Sequence, residues 1–173
     1  MTKKEFINSI SNSGKDVLQQ FLDLLKSNEI GYCIVGGLAV NAYVEPVVSL
    51  DLDVVVTIDK IVQLRNAAKD IFTIEEFPHS HNFSSQYSDL RIQIQKDSRY
   101  QSFISRAQEK EIMGYTMKVA ALEDVLQGKI WAYSDEERRA SKRQKDLADI
   151  FRLIETYPEL KNSLPESLKD MIE

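Results

Sequence analysis

Apolar positions fall into two alternating rhythms along this chain. In "KDVLQQFLDLLKSNEI", Val17, Leu18, Phe21, Leu22, Leu24 and Leu25 recur with a helical period and one buried stripe. "GYCIVG" reads as a short buried strand that opens on Gly31 and closes on Gly36. "LAVNAYV" suits a short helix, stopped near Pro46 because the residue before a proline avoids the α region. The β-branched run "LDVVVTI" predicts a strand and "KIVQLRNAAKDIF" a helix. In "DLRIQIQ" the alternation is strict: Leu90, Ile92 and Ile94 face one way, and Asp89, Arg91, Gln93 and Gln95 the other. A helix is expected around "RYQSFISRAQ", and a hairpin turning near Gly114 in "EIMGYTMKV". The remaining segments, "ALEDVLQGKIWAY", "DEERRASKRQKDLADIFRLIE" and "PESLKDMIE", are read as helices. This order predicts an α+β (α/β) fold, a mixed β-sheet flanked by helices with a C-terminal helical cap. One domain is expected over 1–173, with the sheet core at about 15–120 and the C-terminal helices at about 121–173.

Composition adds bounds. The 173 residues are 43% apolar and 28% charged, enough to bury an ordinary core. No apolar run approaches the roughly 18 residues of a membrane span, and "MTKKEFINSISNSGK" lacks the apolar region of a secretory signal. Cys33 is the single cysteine, so no intrachain disulfide forms and a cytoplasmic setting is expected. The net charge of −5 argues against a dedicated duplex-DNA binder. Locally, though, "RRASKRQK" carries five cations in eight residues, Arg138, Arg139, Lys142, Arg143 and Lys145.

Chemistry concentrates in "IVGGLAVNAYVEPVVSLDLDVVV". Gly36-Gly37, between a buried strand and a helix, is either a plain turn or a place where backbone N–H groups approach an anion closely. Asp51 and Asp53 share one strand face, with Leu52 turned to the core. Two carboxylates so placed repel unless solvent or a cation intervenes. Either one caps a turn and the other is solvated, or both meet Mg²⁺, which takes a few carboxylate oxygens, waters and a substrate phosphate. A glycine turn beside a carboxylate pair has what phosphoryl and nucleotidyl transfer need, namely positioning and charge neutralisation.

Gly-Gly, a short helix and then "DLD" resembles the nucleotidyltransferase superfamily related to DNA polymerase beta. "VGGLAVNAY" with "DLDVVV" is similar to its AbiEii/AbiGii toxin-type branch, and "LEDVLQGKIWAY" and "SKRQKDLADI" look like that branch's lysine motif and basic-aspartate helix motif. The resemblance covers nearly the whole chain. It implies that Gly36 and Gly37 hold a nucleoside triphosphate and that Asp51 and Asp53 bind Mg²⁺. It further implies that Lys129 contacts the phosphates and that Lys145 and Asp146 border the site, with Asp51, Asp53, Lys129 and Asp146 as the catalytic set. Of the basic and hydroxyl residues that often precede the aspartates only the hydroxyl is kept, as Ser49 after Val48. Many members use a third carboxylate on a later strand. The aligned position here is Gln93, whose amide cannot act as a base; Asp89 is roughly 13 Å away along an extended strand.

Other candidates keep two readings. Lys129 is a snorkelling lysine or a phosphate contact, and Trp131 and Tyr133 are core aromatics or a base platform. In the following helix Leu147, Ile150, Phe151 and Ile154 make the buried face. Lys142, Asp146 and Asp149 lie elsewhere on it, as a solvated ion-pair ladder or as part of the site. Arg138, Arg139 and Arg143 are candidate RNA-phosphate contacts. His79 and His81 have metal-ligand spacing but no third ligand nearby, and are read as a loop; Cys33 is read as core. The leading expectation is a Mg²⁺-dependent nucleotidyltransferase moving a nucleotide from an NTP to an acceptor hydroxyl, with RNA as an acceptor, an antitoxin protein as a partner and no membrane association. The alternative is a nucleotide- or partner-binding protein of the same fold that has lost its chemistry.

Overall fold

The computed structural model describes residues 1–172. Two N-terminal helices, α1 (Lys3–Ile10) and α2 (Val17–Ser27), precede strand β1 (Tyr32–Val35) and the short helix α3 (Gly36–Val40). There follow β2 (Asp51–Val56), α4 (Ile61–Ala68), β3 (Thr73–Glu76), β4 (Ser80–Ser85) and β5 (Ser88–Gln95). A 3₁₀ helix (Ser98–Arg106) leads to the hairpin β6 (Gln108–Ile112) and β7 (Tyr115–Val119). The chain closes with α5 (Leu122–Ser134), α6 (Ala140–Thr156), a 3₁₀ turn (Pro158–Ser163) and α7 (Glu166–Lys169). The strands form one seven-stranded sheet in the order β3-β4-β5-β2-β1-β7-β6. It is mixed: β2 runs parallel to β5 and β1 parallel to β7, while the other neighbours are antiparallel.

The strict alternation of β5 places Leu90, Ile92 and Ile94 in the core, as its pattern requires. Register extends that face across the sheet, with Phe83 opposite Ile92 and Ile92 opposite Leu52. On it pack α2 and α4, where Phe21, Phe72 and Phe83 meet with ring centroids 6.0–6.1 Å apart. Successive strand residues point to opposite faces, so Asp51, Asp53 and Gln93 lie on the other side. On that side α3 packs against β1 and β2, and α5 and α6 pack on α3.

Several elements differ from the sequence reading. Helix α1 was not expected, although Thr2 and Glu5 form a capping box that ties its first turn. The His79–His81 segment is not a free loop, because His81 lies within β4, opposite Ile94 and buried. Its Nδ1 has no hydrogen-bond partner among the described residues, and burial holds its pKa below the usual histidine value. The segment read as a helix around Tyr100 is a 3₁₀ helix, and α6 begins at Ala140 rather than in the acidic "DEE" before it. The hairpin turns where expected, on Met113 and Gly114, both at positive φ.

Candidate active site

The cleft is built around the loop that joins β1 to β2. β1 ends on Val35, whose antiparallel partner is Asp53. The next residue, Gly36, turns the chain at φ +72°, a left-handed conformation that disfavours any side chain. A Cβ on Gly36 would also overlap Asp53 Oδ2. The first glycine is therefore required twice, by backbone angle and by the carboxylate packed against it. Gly37 is less constrained, since a Cβ there would lie 4.0 Å from Asp149 Oδ2. We expect Gly36→Ala to lose about 1–3 kcal/mol in urea denaturation and Gly37→Ala much less; equal losses would contradict this account of the turn.

Asn41 then closes the loop. Its side chain donates to Val47 O at 2.7 Å and accepts from Val47 N–H at 3.0 Å, replacing a missing strand partner. Tyr43 Oη donates to Ala120 O and Tyr157 Oη to Tyr43 O, so the loop is tied to both β7's end and α6's end. Ser49 Oγ accepts from Asp51 N–H. These bonds return the chain so that Asp51 and Asp53 enter β2 beside the glycine turn.

On the neighbouring strand, Gln93 pairs in register with Asp53, and Arg91 with Asp51. The amide therefore stands beside the carboxylate pair. Asp89 does not substitute for it: its carboxylate accepts from Asn12 Nδ2 and its own N–H donates to Ser11 O, beyond α1.

Helices α5 and α6 supply the facing wall. Lys129 is 7% exposed and Asp146 only 1%, so the lysine does not snorkel to solvent. Lys129 Nζ lies 2.9 Å from Asp146 Oδ1 and 2.8 Å from Asp149 Oδ2. Burial works against its charged form, but the Asp149 and Asp146 carboxylates outweigh that and hold its pKa above the usual lysine value. Arg138 Nε donates to Asp146 Oδ2 at 2.7 Å, and Arg152 Nη1 to Asp149 Oδ1 at 2.7 Å. The "KDLADI" helix is thus no solvated ladder. Its two aspartates, three residues apart, clamp a buried lysine from the preceding helix.

Asp51, Asp53, Lys129, Arg138, Lys142 and Asp146 line two lobes of one cleft. The smaller lobe, about 80 Å³, adds Gly37, Asn41, Ser49, Lys145, Asp149 and Arg152. The larger, about 540 Å³, adds Gly36, Gln93, Gln95, Tyr100, Trp131 and Arg139. Trp131 is half-buried and packs against the core, its ring stacked on Phe103 at 5.6 Å, while the Arg99 guanidinium sits 4.5 Å from its centre. Arg99 is in turn held by Asp97 at 2.7 Å. Arg143 is turned away from the cleft, donating to Tyr133 O at 2.7 Å. Lys145 and Arg139 make no ion pair among the described residues. Cys33 is fully buried, and burial pushes its thiol up to about 12, as expected of an inert core residue.

The carboxylates differ in their partners. Asp53 accepts no side-chain hydrogen bond or ion pair among the described residues, and burial pushes its pKa up, partly offset by Lys129 and reinforced by Asp51. Asp51 faces two cations, Arg91 Nε at 2.6 Å and Lys142 Nζ at 3.4 Å. No cluster of three or more His, Cys, Asp or Glu side chains is placed to hold a metal among the described residues. The pair still suits a hard divalent ion that takes its remaining oxygens from substrate and water, and an unpartnered carboxylate in a cleft is what such an ion neutralises. Asp149, offered by the sequence as either ladder or site residue, belongs to the cluster; Arg91, Arg152 and Asn41 were not singled out in the sequence.

No protein-family model and no curated protein sequence matches the chain. Solved structures do match in fold. The crystal structure of ANT(2'')-Ia in complex with adenylyl-2''-tobramycin superposes with a TM-score of 0.64 at 15% identity, over 91% of this chain and 97% of that one. The lincosamide antibiotic adenylyltransferase LnuA, lincomycin-bound, gives 0.55 at 13% identity, over 82% and 99%. An antigenic nucleotidyltransferase-like protein from Paracoccidioides brasiliensis gives 0.55 at 21% identity, over 98% and 86%. With its mixed seven-stranded sheet and flanking helices, the chain has the fold of the nucleotidyltransferases.

Proposed function

We propose that this protein is a nucleotidyltransferase that moves a nucleotide from a nucleoside triphosphate to an acceptor hydroxyl. The observation that carries the reading is the convergence of Gly36-Gly37, Asp51, Asp53 and the Lys129–Asp146–Asp149 cluster on one cleft. The triphosphate lies in the smaller lobe, against the glycine turn. Lys142 and Lys145 neutralise its charge there, and Lys129 holds the wall in place. Asp51 and Asp53 are the residues that would hold Mg²⁺, which when bound would supply positive charge to offset that of the phosphates. The acceptor enters through the larger lobe. Its hydroxyl oxygen bonds to the α-phosphorus as the bridging oxygen to the β-phosphate departs with pyrophosphate. Gln93 can orient that hydroxyl but cannot take its proton, which leaves toward the Asp51–Asp53 pair.

Arg138 and Arg139 at the rim support an RNA end as acceptor. Two fold neighbours are instead bound to lincomycin and to adenylyl-2''-tobramycin, which supports small molecules as a second acceptor class, so both belong in the assay. The motifs "VGGLAVNAY", "DLDVVV" and "SKRQKDLADI" support the AbiEii-type branch with an antitoxin protein as partner, and the single cysteine supports a cytoplasmic location. No described helix is long and apolar enough to cross a membrane. Gln93 favours one second reading, a protein that binds the nucleotide without turning it over.

The deciding experiment incubates the protein with Mg²⁺ and each α-labelled NTP, offering total RNA and a panel of hydroxylated small molecules. Transfer of label to either class supports the enzyme. NTP binding by calorimetry with no transfer supports the second reading, and no binding at all overturns both.

A further inference from the structure

The two carboxylates of β2 are treated unequally, and the cause lies on β5. Arg91 stands in register with Asp51, and its Nε meets Asp51 Oδ1 at 2.6 Å. The Arg91 side chain is 65% exposed and makes no other side-chain hydrogen bond among the described residues. Its charge is therefore committed to Asp51 alone. Lys142, from α6, approaches the other oxygen at 3.4 Å. Asp53, two residues on, has no such partner. A divalent ion arriving alone at this pair would have to displace a guanidinium and would sit beside two fixed positive charges. A nucleoside triphosphate changes that balance, because it brings several negative charges and gives Lys142 a better partner. Lys142 already lines the lobe in which the phosphates would lie.

Resting on the nucleotide reading of this cleft, we infer that Arg91 is a resident cation on Asp51 that keeps the free metal out and makes metal binding depend on the nucleotide. Arg91 is a positioning residue here. It acts on the metal through Asp51 and touches neither the phosphates nor the acceptor. The unequal pairing of the two aspartates then makes sense: Asp53 stays open to the ion, and Asp51 is released to it only when triphosphate arrives.

The test uses Mn²⁺ as the probe, with free ion followed by electron paramagnetic resonance on the full chain. Wild type without nucleotide should bind Mn²⁺ weakly. Arg91→Ala should bind it about fivefold more tightly, the upper range of what an exposed ion pair contributes. Arg91→Lys should stay near wild type, and Arg91→Ala/Asp51→Asn should lose the gain. Arg91 is exposed, so circular dichroism of the variants should match wild type. Equal Mn²⁺ affinity in wild type and Arg91→Ala would overturn the inference, as would a gain that survives Asp51→Asn. A separate arm adds a non-hydrolysable NTP. Tighter Mn²⁺ binding in wild type than in its absence supports the coupling. No nucleotide binding in any variant would defeat the nucleotide reading, and with it the coupling, while the metal-only arm would still decide whether Arg91 guards Asp51.

Discussion

Asp146→Ala will destabilise the protein by about 3–5 kcal/mol, measured by urea or thermal unfolding. Asp146 is 1% exposed and receives Lys129 Nζ and Arg138 Nε on its two oxygens. Removing it leaves a lysine that is itself 7% exposed facing Asp149 alone, and strands the Arg138 guanidinium. A buried charge deprived of a partner loses the attraction that offset its desolvation, which is why breaking one side costs more than the intact pair contributes. Lys129→Met/Asp146→Leu should recover part of the loss, because the hole is filled by apolar atoms and Asp149 keeps Arg152. An exposed pair makes the contrast: cutting Lys3–Glu111 should change stability by no more than about 1 kcal/mol. If Asp146→Ala unfolds no more easily than that control, the cluster is not structural.

Asp53→Asn should lower transfer from a labelled NTP by about a thousandfold or more, roughly 4 kcal/mol of transition-state stabilisation. The substitution keeps volume and removes a charge. Its size matters because Asp53 Oδ2 lies against the Gly36 backbone, so a larger side chain would also disturb the turn. The folded state should tolerate it: Asp53 has no cation directly paired to it, and burial disfavours its charge. Stability near or above that of wild type, with activity lost, is the expected combination. A variant as active as wild type would remove Asp53 from the site.

The legibility of the fold followed the burial of each element. β5 and β2 lie in the middle of the sheet, and their apolar residues repeat as a half-buried or buried strand must, so both could be read. β3 and β4 could not. β3 is the sheet edge and mostly exposed, so "TIEE" carries no apolar alternation, and "SHNFSS" buries only His81 and Phe83. The buried histidine, read as a loop residue, filled a core position that the pattern reserves for apolar side chains. α1 was missed for a different reason, since Thr2 and Glu5 have capping-box spacing but the apolar stripe behind them is one buried residue, Ile7.

The site divides the same way. Gly36, Gly37, Asp51 and Asp53 are close in sequence, and Lys129 and Asp146 fall in "LEDVLQGKIWAY" and "SKRQKDLADI", the segments that resemble family motifs, so each could be named. Their meeting depends on α5 and α6 packing against each other and on α3, which itself lies on β2, and no local pattern encodes that. Arg91 was read only as the polar side of an alternating strand. Its role rests on a parallel register between β2 and β5, strands separated by α4 and a hairpin. The same register brings Gln93 opposite Asp53.

The most direct test is a crystal structure of the protein grown with Mn²⁺ and a non-hydrolysable nucleoside triphosphate, with the metal located by its anomalous signal. The account predicts the triphosphate against Gly36-Gly37 and a Mn²⁺ peak bonded to both Asp51 and Asp53, with Arg91 released from Asp51. Nucleotide bound elsewhere on the molecule, or a metal peak that touches neither aspartate, would contradict it.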